Sequence, residues 1–355
     1  MKVRLYGFFQ GTGSWCRVAQ GCLTGLSAND ALAGVYDLGD VDEGRDQLGE
    51  GSGSQVAVCI GPLASANAMM VRGTHEHRLH MIAANSTWLP KLPMDPEARP
   101  TGFVGTSDWS CDVIRERYRP SLCVKWLHGV SDAYYVGDEV PAGDFSVLHL
   151  ASTHFARKGT LPLIEGWAKA MRAGLIPKTS KLSLRVDGPR GYYLGAIHRA
   201  CGGDIPMCET IDLAGRVGNT EEAMRSFYAR HHLVCQPSRA EGFGLIPLEA
   251  RASGVPVLAT ACTGHADHLP ARSAGEVEVV PHGPMADVDD GPDARAPTVF
   301  AHDVSDALGR AYERREAMSE FALDNASSIS ENFSWGAVTG AFLEGLRASA
   351  PQEMV

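Results

Sequence analysis

The sequence lacks any long apolar run. No stretch of its 355 residues approaches the 18 or more apolar residues of a membrane-spanning helix, and the first residues hold too little apolar sequence for a signal peptide. We therefore expect a cytoplasmic protein. Positive charge is also scarce, since 32 Lys and Arg residues stand against 42 Asp and Glu residues and the net charge is −10. This balance argues against a general electrostatic grip on nucleic acid or anionic membranes, although it allows a local basic cleft.

Paired cysteine and metal motifs are missing as well. The nine cysteines include no C-x-x-C pair, which favours buried free thiols over a disulfide or zinc framework. Two D-x-D sequences occur, Asp40 with Asp42 and Asp287 with Asp289, but both lie in polar stretches rich in Gly or Pro. Solvated acids are the better interpretation, and we predict no bound metal.

What the chain does contain is typical of a globular α/β protein. Its 44% apolar and 21% charged residues suit a folded chain, and its length suits two domains. Strand and helix patterns alternate across residues 146–260. Such alternation predicts a parallel, doubly wound sheet, in which ligands bind at the carboxyl ends of the strands.

The most informative stretch is 235–262, CQPSRAEGFGLIPLEARASGVPVLATAC. A short strand leads through a glycine-containing loop to a helix that we predict to start near Leu245, because proline at 247 is tolerated in a first helical turn. Glu241 precedes the helix and Glu249 lies about one turn inside it. The helix N-terminus between them favours a phosphate, so a nucleotide-sugar fits the arrangement. The alternative from pattern alone is a surface loop with solvated carboxylates.

The same residues carry a resemblance. Pro237-Ser238, EGFGLIPLE and ASGVPVLAT resemble the donor-binding signature of retaining glycosyltransferases of the GT-B fold (the family 4, group 1 superfamily). The resemblance implies two Rossmann-like domains facing across a cleft. It also implies that Glu241 lies beside the donor sugar, that Glu249 binds the ribose, and that the backbone of Gly242, Phe243, Gly244 and Leu245 holds sugar and phosphates.

Other segments extend the resemblance. Gly11 and Gly13 resemble the N-terminal glycine loop that faces the donor phosphates. Arg216 and Val217 fall where relatives contact the nucleobase, and Gly264 resembles a loop beside the donor. The domains implied are 1–140, with a terminal helix at 336–355 packing back on it, and 145–335 for the donor.

Adjacent Arg157 and Lys158 follow the strand predicted at 146–152 and precede a helix predicted from Thr160. Both keep their charge at neutral pH, so they are suited to neutralise a diphosphate leaving group. A solvated basic pair is the alternative interpretation. Relatives place Arg and Lys in this loop, but their Arg lies five residues before the Lys, so we expect Arg157 to substitute for it.

The acceptor side is less specific. In relatives, a strand and its following loop line the acceptor pocket, and here that region holds His75 and His77, which we predict on a loop, and His80, which we predict to open the strand. Asn85 stands where many relatives have an acid. These four residues are the candidate acceptor contacts.

The resemblance implies sugar transfer from a nucleotide-sugar such as UDP-glucose to an acceptor hydroxyl with retention of configuration, and with no metal or other cofactor. A small-molecule acceptor is favoured, and a hydroxymethylated base in DNA stays open as an alternative. A sugar-nucleotide epimerase, a phosphorylase or a non-catalytic nucleotide-binding module on the same fold are further alternatives.

Overall fold

The computed structural model describes residues 1–10, 14–38, 56–61, 77–93, 99–134, 141–152, 155–186, 190–214 and 220–349. These residues divide into two compact units. Unit 1 comprises Met1–Ser131 and Glu331–Val355, and unit 2 comprises Asp132–Ser330. Each unit is built on one six-stranded sheet whose strands are all parallel.

Unit 1 has the strand order β2-β1-β3-β4-β5-β6. The run at 56–60 forms a central strand that is buried at every position, as expected for a parallel strand covered on both faces. The strands are β1 (Val3–Gly7), β2 (Leu32–Asp37), β3 (Val56–Ile60), β4 (His77–Ile82), β5 (Gly102–Gly105) and β6 (Cys123–Lys125). The helices are α1 (Ser14–Ala28), α2 (Asp108–Tyr118) and, from the end of the chain, α10 (Trp335–Ser349).

The terminal helix belongs to unit 1 because its apolar side is buried there. α10 packs against α1 and β6. Phe342 stacks on Trp126 with ring centroids 4.1 Å apart, and the Trp126 indole N–H donates to Thr339 Oγ1 at 3.2 Å. These contacts join residues more than 200 positions apart in the chain.

Unit 2 has the strand order β12-β11-β10-β7-β8-β9. Its strands are β7 (Ser146–Ser152), β8 (Lys181–Val186), β9 (Ile211–Ala214), β10 (Leu233–Gln236), β11 (Val257–Ala259) and β12 (Val277–Val279), with a separate hairpin of β13 (Met285–Asp287) and β14 (Arg295–Pro297). Its helices are α3 (Thr160–Arg172), α4 (Arg190–Cys201), α5 (Ile205–Cys208), α6 (Glu221–Tyr228), α7 (Leu245–Ala252), α8 (Ala301–Glu313) and α9 (Arg315–Asn332). The predicted fold class, two Rossmann-like sheets, is confirmed.

The order of strands locates the ligand-binding edge of unit 2. From β7 the chain builds outward through β8 and β9, and then returns to place β10 on the other side of β7. In a doubly wound sheet, the connections after two such adjacent strands pass to opposite faces, and ligands bind at the carboxyl ends of these strands. Arg157 and Lys158 lie on the connection after β7, and Glu241 lies on the connection after β10.

Two sequence-based expectations are corrected here. The many Gly, Pro and Asp residues of 271–298 predict an irregular region. The structure instead places there β12, at the edge of the main sheet, and the β13–β14 hairpin. His77 opens β4, where its Cα pairs with that of Val56, so the strand starts three residues earlier than His80. Among the described residues, no helix has the length and apolar character needed to cross a bilayer.

Candidate functional site

The loop after β10 leads into the helix α7, as predicted. α7 begins at Leu245, and its N-cap is Gly244 with φ +94°, a left-handed conformation that favours glycine. As a glycine, Gly244 provides no side chain to cap this helix N-terminus. Pro247, in the first turn, has no N–H to satisfy. The first backbone N–H groups of α7 thus form an electropositive helix end.

Three charged side chains meet beside this helix end. Lys158 Nζ lies 2.6 Å from Glu241 Oε1, and Arg157 Nη1 lies 2.9 Å from Glu241 Oε2. Arg157 Nη1 also donates to the Ala240 carbonyl at 2.7 Å. All three side chains are at least nine-tenths buried. The cluster carries two positive charges and one negative charge, so it is electropositive overall.

The two loops approach each other closely enough to make this cluster. Gly159 has φ +70°, and a Cβ added there would lie 2.0 Å from the Pro237 carbonyl oxygen. The Arg239 N–H donates to the Arg157 carbonyl at 2.8 Å. A glycine directly after Lys158 is therefore required for the packing that sets the two cations against Glu241.

Burial lowers the pKa of Lys158, and the charge of Glu241 opposes that shift. Glu241 itself is ionised despite its burial. Burial alone would raise the pKa of Glu241, but the charges of Lys158 and Arg157 outweigh it and hold that pKa well below its usual range. The Nε–H of Arg157 is buried without a hydrogen-bond partner among the described residues. The guanidinium therefore keeps a donor that Glu241 does not use.

Residues 263–268 brace the loop. The Glu241 N–H donates to Thr263 Oγ1 at 3.0 Å, and the Gly264 N–H donates to the Glu241 carbonyl at 2.8 Å. His265 Nδ1 lies 2.9 Å from the Thr260 carbonyl and therefore carries the proton. Its ring fills the space that a Cβ on Gly244 would need, within 2.0 Å of Cδ2. The conformation of the helix N-cap is thus fixed by packing.

The second carboxylate is buried too. Glu249 lies inside α7 with 3% of its surface exposed, which excludes the solvated helix residue considered from the sequence. The Tyr228 hydroxyl, from the end of α6, donates to Glu249 Oε2 at 2.7 Å. Both residues belong to unit 2, and so do Arg157, Lys158 and Glu241.

Unit 2 brings together many of the predicted donor-site residues. They share the N-terminal end of α7 or the adjoining turn: Gly242, Phe243, Gly244, Leu245 and Gly264. Of the remaining predictions, Gly11, Gly13, Arg216, Val217 and His75 lie outside the described residues, as do Asp40 and Asp42.

The candidate acceptor contacts that the structure describes belong to unit 1. His80 is 1% exposed within β4, and burial lowers its pKa to about 4. A neutral core residue is the better interpretation of His80. Asn85 is half-buried just beyond the carboxyl end of β4 and stays a candidate, as does His77 at the strand's start.

The D-x-D pair at Asp287 and Asp289 lies in the β13–β14 hairpin, and both side chains are exposed. Across the described parts of the chain, no group of three or more His, Cys, Asp and Glu side chains is arranged to hold a metal ion.

Sequence reasoning missed two residues of the site: Tyr228 and His265. Tyr228 ends an amphipathic helix, where a tyrosine is usually core, and no local pattern pairs it with a glutamate 21 residues later. The signal available was chemical, since a buried carboxylate needs a donor.

Solved structures share this architecture over nearly the whole chain. Anabaena Alr3699/HepE, crystallised with UDP-glucose, is 14% identical with a TM-score of 0.65, covering 98% of this chain and 100% of that one. Sucrose-phosphate synthase from Thermosynechococcus elongatus is 14% identical with a TM-score of 0.62, covering 99% and 100%. WaaG, a glycosyltransferase involved in lipopolysaccharide biosynthesis, is 15% identical with a TM-score of 0.58, covering 95% and 98%. No curated protein sequence matches significantly.

At such identities these similarities establish the fold alone, and that fold is GT-B. The sequence adds the family. Residues 135–342, more than half of the chain, match the profile described as "Family 4 Glycosyltransferase in conflict systems". The chain belongs to this family, GT4-conflict, and is a glycosyltransferase, as the resemblance in the sequence predicted.

Proposed function

We propose that the enzyme transfers a sugar from a nucleotide-sugar to an acceptor hydroxyl with retention of anomeric configuration. The observation that carries this proposal is the convergence, at the carboxyl ends of β7 and β10, of the α7 N-terminus, two buried cations and a buried carboxylate. A diphosphate linked to a sugar matches that combination of charges.

Each part of the donor has a counterpart in unit 2. The diphosphate binds the first N–H groups of α7 together with Lys158 and Arg157, Glu241 accepts hydrogen bonds from the sugar hydroxyls, and Glu249 accepts them from the ribose. Arg216 and Val217 contact the nucleobase. Because HepE was crystallised with UDP-glucose, UDP-glucose is the first donor to test.

The proposed chemistry follows from the charge that develops in the leaving group. As the bond between the sugar C1 and the phosphate oxygen breaks, negative charge grows on the diphosphate, where Lys158, Arg157 and the helix N-terminus stabilise it. The acceptor oxygen attacks C1 from the same face, and its proton passes to the departing phosphate oxygen. No enzyme nucleophile and no metal ion enter this scheme.

For the acceptor we propose a small molecule with a free hydroxyl. The net charge of −10 disfavours DNA, so a hydroxymethylated base is the second acceptor class to test. The acceptor is found by incubating the enzyme with UDP-glucose and candidate acceptors and measuring UDP release.

The stereochemistry is then read from the proton NMR coupling of the product's anomeric proton. We expect acceptor-dependent UDP release and a product with the α configuration of the donor. A β-linked product would refute retention. Conversion of the donor without any acceptor would instead support an epimerase.

A further inference from the structure

The hydrogen bond between Tyr228 and Glu249 joins two helices at the proposed ribose-binding carboxylate. Tyr228 is fully buried and Glu249 is 3% exposed, and the hydroxyl-to-carboxylate distance is 2.7 Å. A bond of this length lies at the usual distance of a well-formed O–H···O hydrogen bond. It crosses from α6 to α7, so it fixes the carboxylate relative to a second element and not only to its own helix.

The phenol ring is itself fixed by packing. Tyr134, from a 3-10 helix at Asp132–Tyr134, is 1% exposed and lies with its ring centroid 6.3 Å from that of Tyr228. The same short helix contacts both α6 and α7. With its ring held in this way, the hydroxyl can bond Glu249 without reorganising.

A carboxylate has two oxygens with about four lone-pair positions, and its plane decides where those positions point. By donating to Oε2, Tyr228 sets the rotation of this plane. Recognition of two vicinal ribose hydroxyls depends on that rotation, because both must find an acceptor lone pair at hydrogen-bonding distance.

We propose that Tyr228 is a positioning residue for ribose recognition: its hydroxyl orients the Glu249 carboxylate so that the enzyme distinguishes a ribonucleotide from its 2′-deoxy counterpart. This inference rests on the proposed role of Glu249 in the donor site. If Tyr228 had only a structural role, it would matter for folding but not for the preference of a ribonucleotide over its 2′-deoxy counterpart.

The test is the ratio of dissociation constants for 2′-deoxy-UDP and UDP, measured by calorimetry. We expect wild type to prefer UDP by at least about tenfold, roughly one good hydrogen bond to a charged group. Tyr228→Phe removes only the hydroxyl and should cut that preference severalfold, mainly by weakening UDP. Glu249→Ala should abolish it. The matched control is Tyr312→Phe, whose ring packs on Phe145 in the same unit, and its ratio should equal that of wild type.

The outcomes separate the two levels of the proposal. If wild type binds UDP but shows no ribose preference, or if Glu249→Ala retains it, the role of Glu249 is wrong. Suppose that wild type and Glu249→Ala behave as expected. If Tyr228→Phe then keeps the full preference for UDP, or weakens the binding of UDP and 2′-deoxy-UDP equally, only the role of Tyr228 is overturned.

Should Tyr228→Phe fail to fold, a crystal structure of wild type with UDP decides. The proposal requires Tyr228 to stay within hydrogen-bonding distance of Glu249 while Glu249 contacts the ribose. Separation of the two side chains in that complex would overturn it.

Discussion

Replacing Glu241 with Gln should tighten the binding of free UDP. In the wild-type protein, the Glu241 carboxylate neutralises part of the charge on Lys158 and Arg157, whose side-chain nitrogens lie 2.6 and 2.9 Å from its oxygens. A bound diphosphate must share the same two cations with it. Glutamine keeps the shape and one acceptor oxygen but removes the negative charge, so the cluster becomes more positive.

The size of the effect follows from Coulomb's law. A phosphate sharing these cations lies about 6 Å from the carboxylate, where each pair of unit charges interacts by roughly 3 kcal/mol at an effective dielectric constant of 20. Mobile ions reduce that value. We therefore expect UDP to bind at least about tenfold more tightly, a gain near 1.4 kcal/mol, and the gain to shrink at high salt. UDP-glucose should gain less, because it loses its proposed contact with Glu241, and kcat should fall.

The assay is calorimetric titration of UDP and UDP-glucose at low and high salt. Glu276→Gln is the matched control, since Glu276 is equally buried and pairs with Arg251 at 2.8 Å. Arg251 lies six residues beyond the start of α7, about 9 Å along the axis. This control should lower stability without changing UDP affinity. A folded Glu241→Gln protein that binds UDP no more tightly than wild type would refute the proposed competition for the cations.

Three further predictions concern the leaving group, metal ions and pH. Lys158→Ala should lower kcat on the order of a hundredfold at saturating donor, and Arg157→Ala by less, because a cation beside the departing diphosphate acts mainly in the transition state; an unchanged kcat with a raised donor KM would make Lys158 a docking contact only. Turnover should persist in excess EDTA, and a loss of activity that manganese restores would show that a metal is needed. Burial lowers the pKa of His149 to about 4. The contribution of the neutral His149 side chain to the free energy of unfolding is therefore complete above pH 6.5, and it is lost as the pH falls toward 4. Between pH 7 and pH 5, the free energy of unfolding measured in urea should therefore fall by about 2 kcal/mol less for His149→Gln than for wild type. An equal fall in both proteins would contradict the lowered pKa of His149.

Local elements of unit 2 were predictable where one signal dominated. The run at 146–152 forms β7 with the bounds predicted, and α3 begins at Thr160 as predicted. α7 begins at Leu245 because Gly244 and Pro247 define a helix start. β12 was missed since it spans only three residues between turns, and such a segment is a strand only because β11 pairs with it.

The site was predictable residue by residue but not as an arrangement. Glu241, Lys158 and Arg157 were each identified from the sequence and its family resemblance. Their ion cluster joins residues 83 and 84 positions apart, and it forms because β10 returns beside β7. Strand order is a property of the whole sheet, so no local pattern shows that Glu241 forms ion pairs with both cations. Contacts such as Tyr228 with Glu249 depend on the packing of two helices and escape sequence reasoning for the same reason.

The central claim is that unit 2 binds a nucleotide-sugar through its diphosphate. Calorimetry with a panel of nucleoside diphosphate sugars, their nucleoside monophosphates and the corresponding free sugars tests it most directly, with wild type and Lys158→Ala side by side. We predict that at least one nucleotide-sugar binds wild type with one-to-one stoichiometry, more tightly than either fragment, and that Lys158→Ala weakens it. A folded wild-type protein that binds no nucleotide-sugar in the panel, or whose binding is unaffected by the loss of Lys158, would contradict the claim.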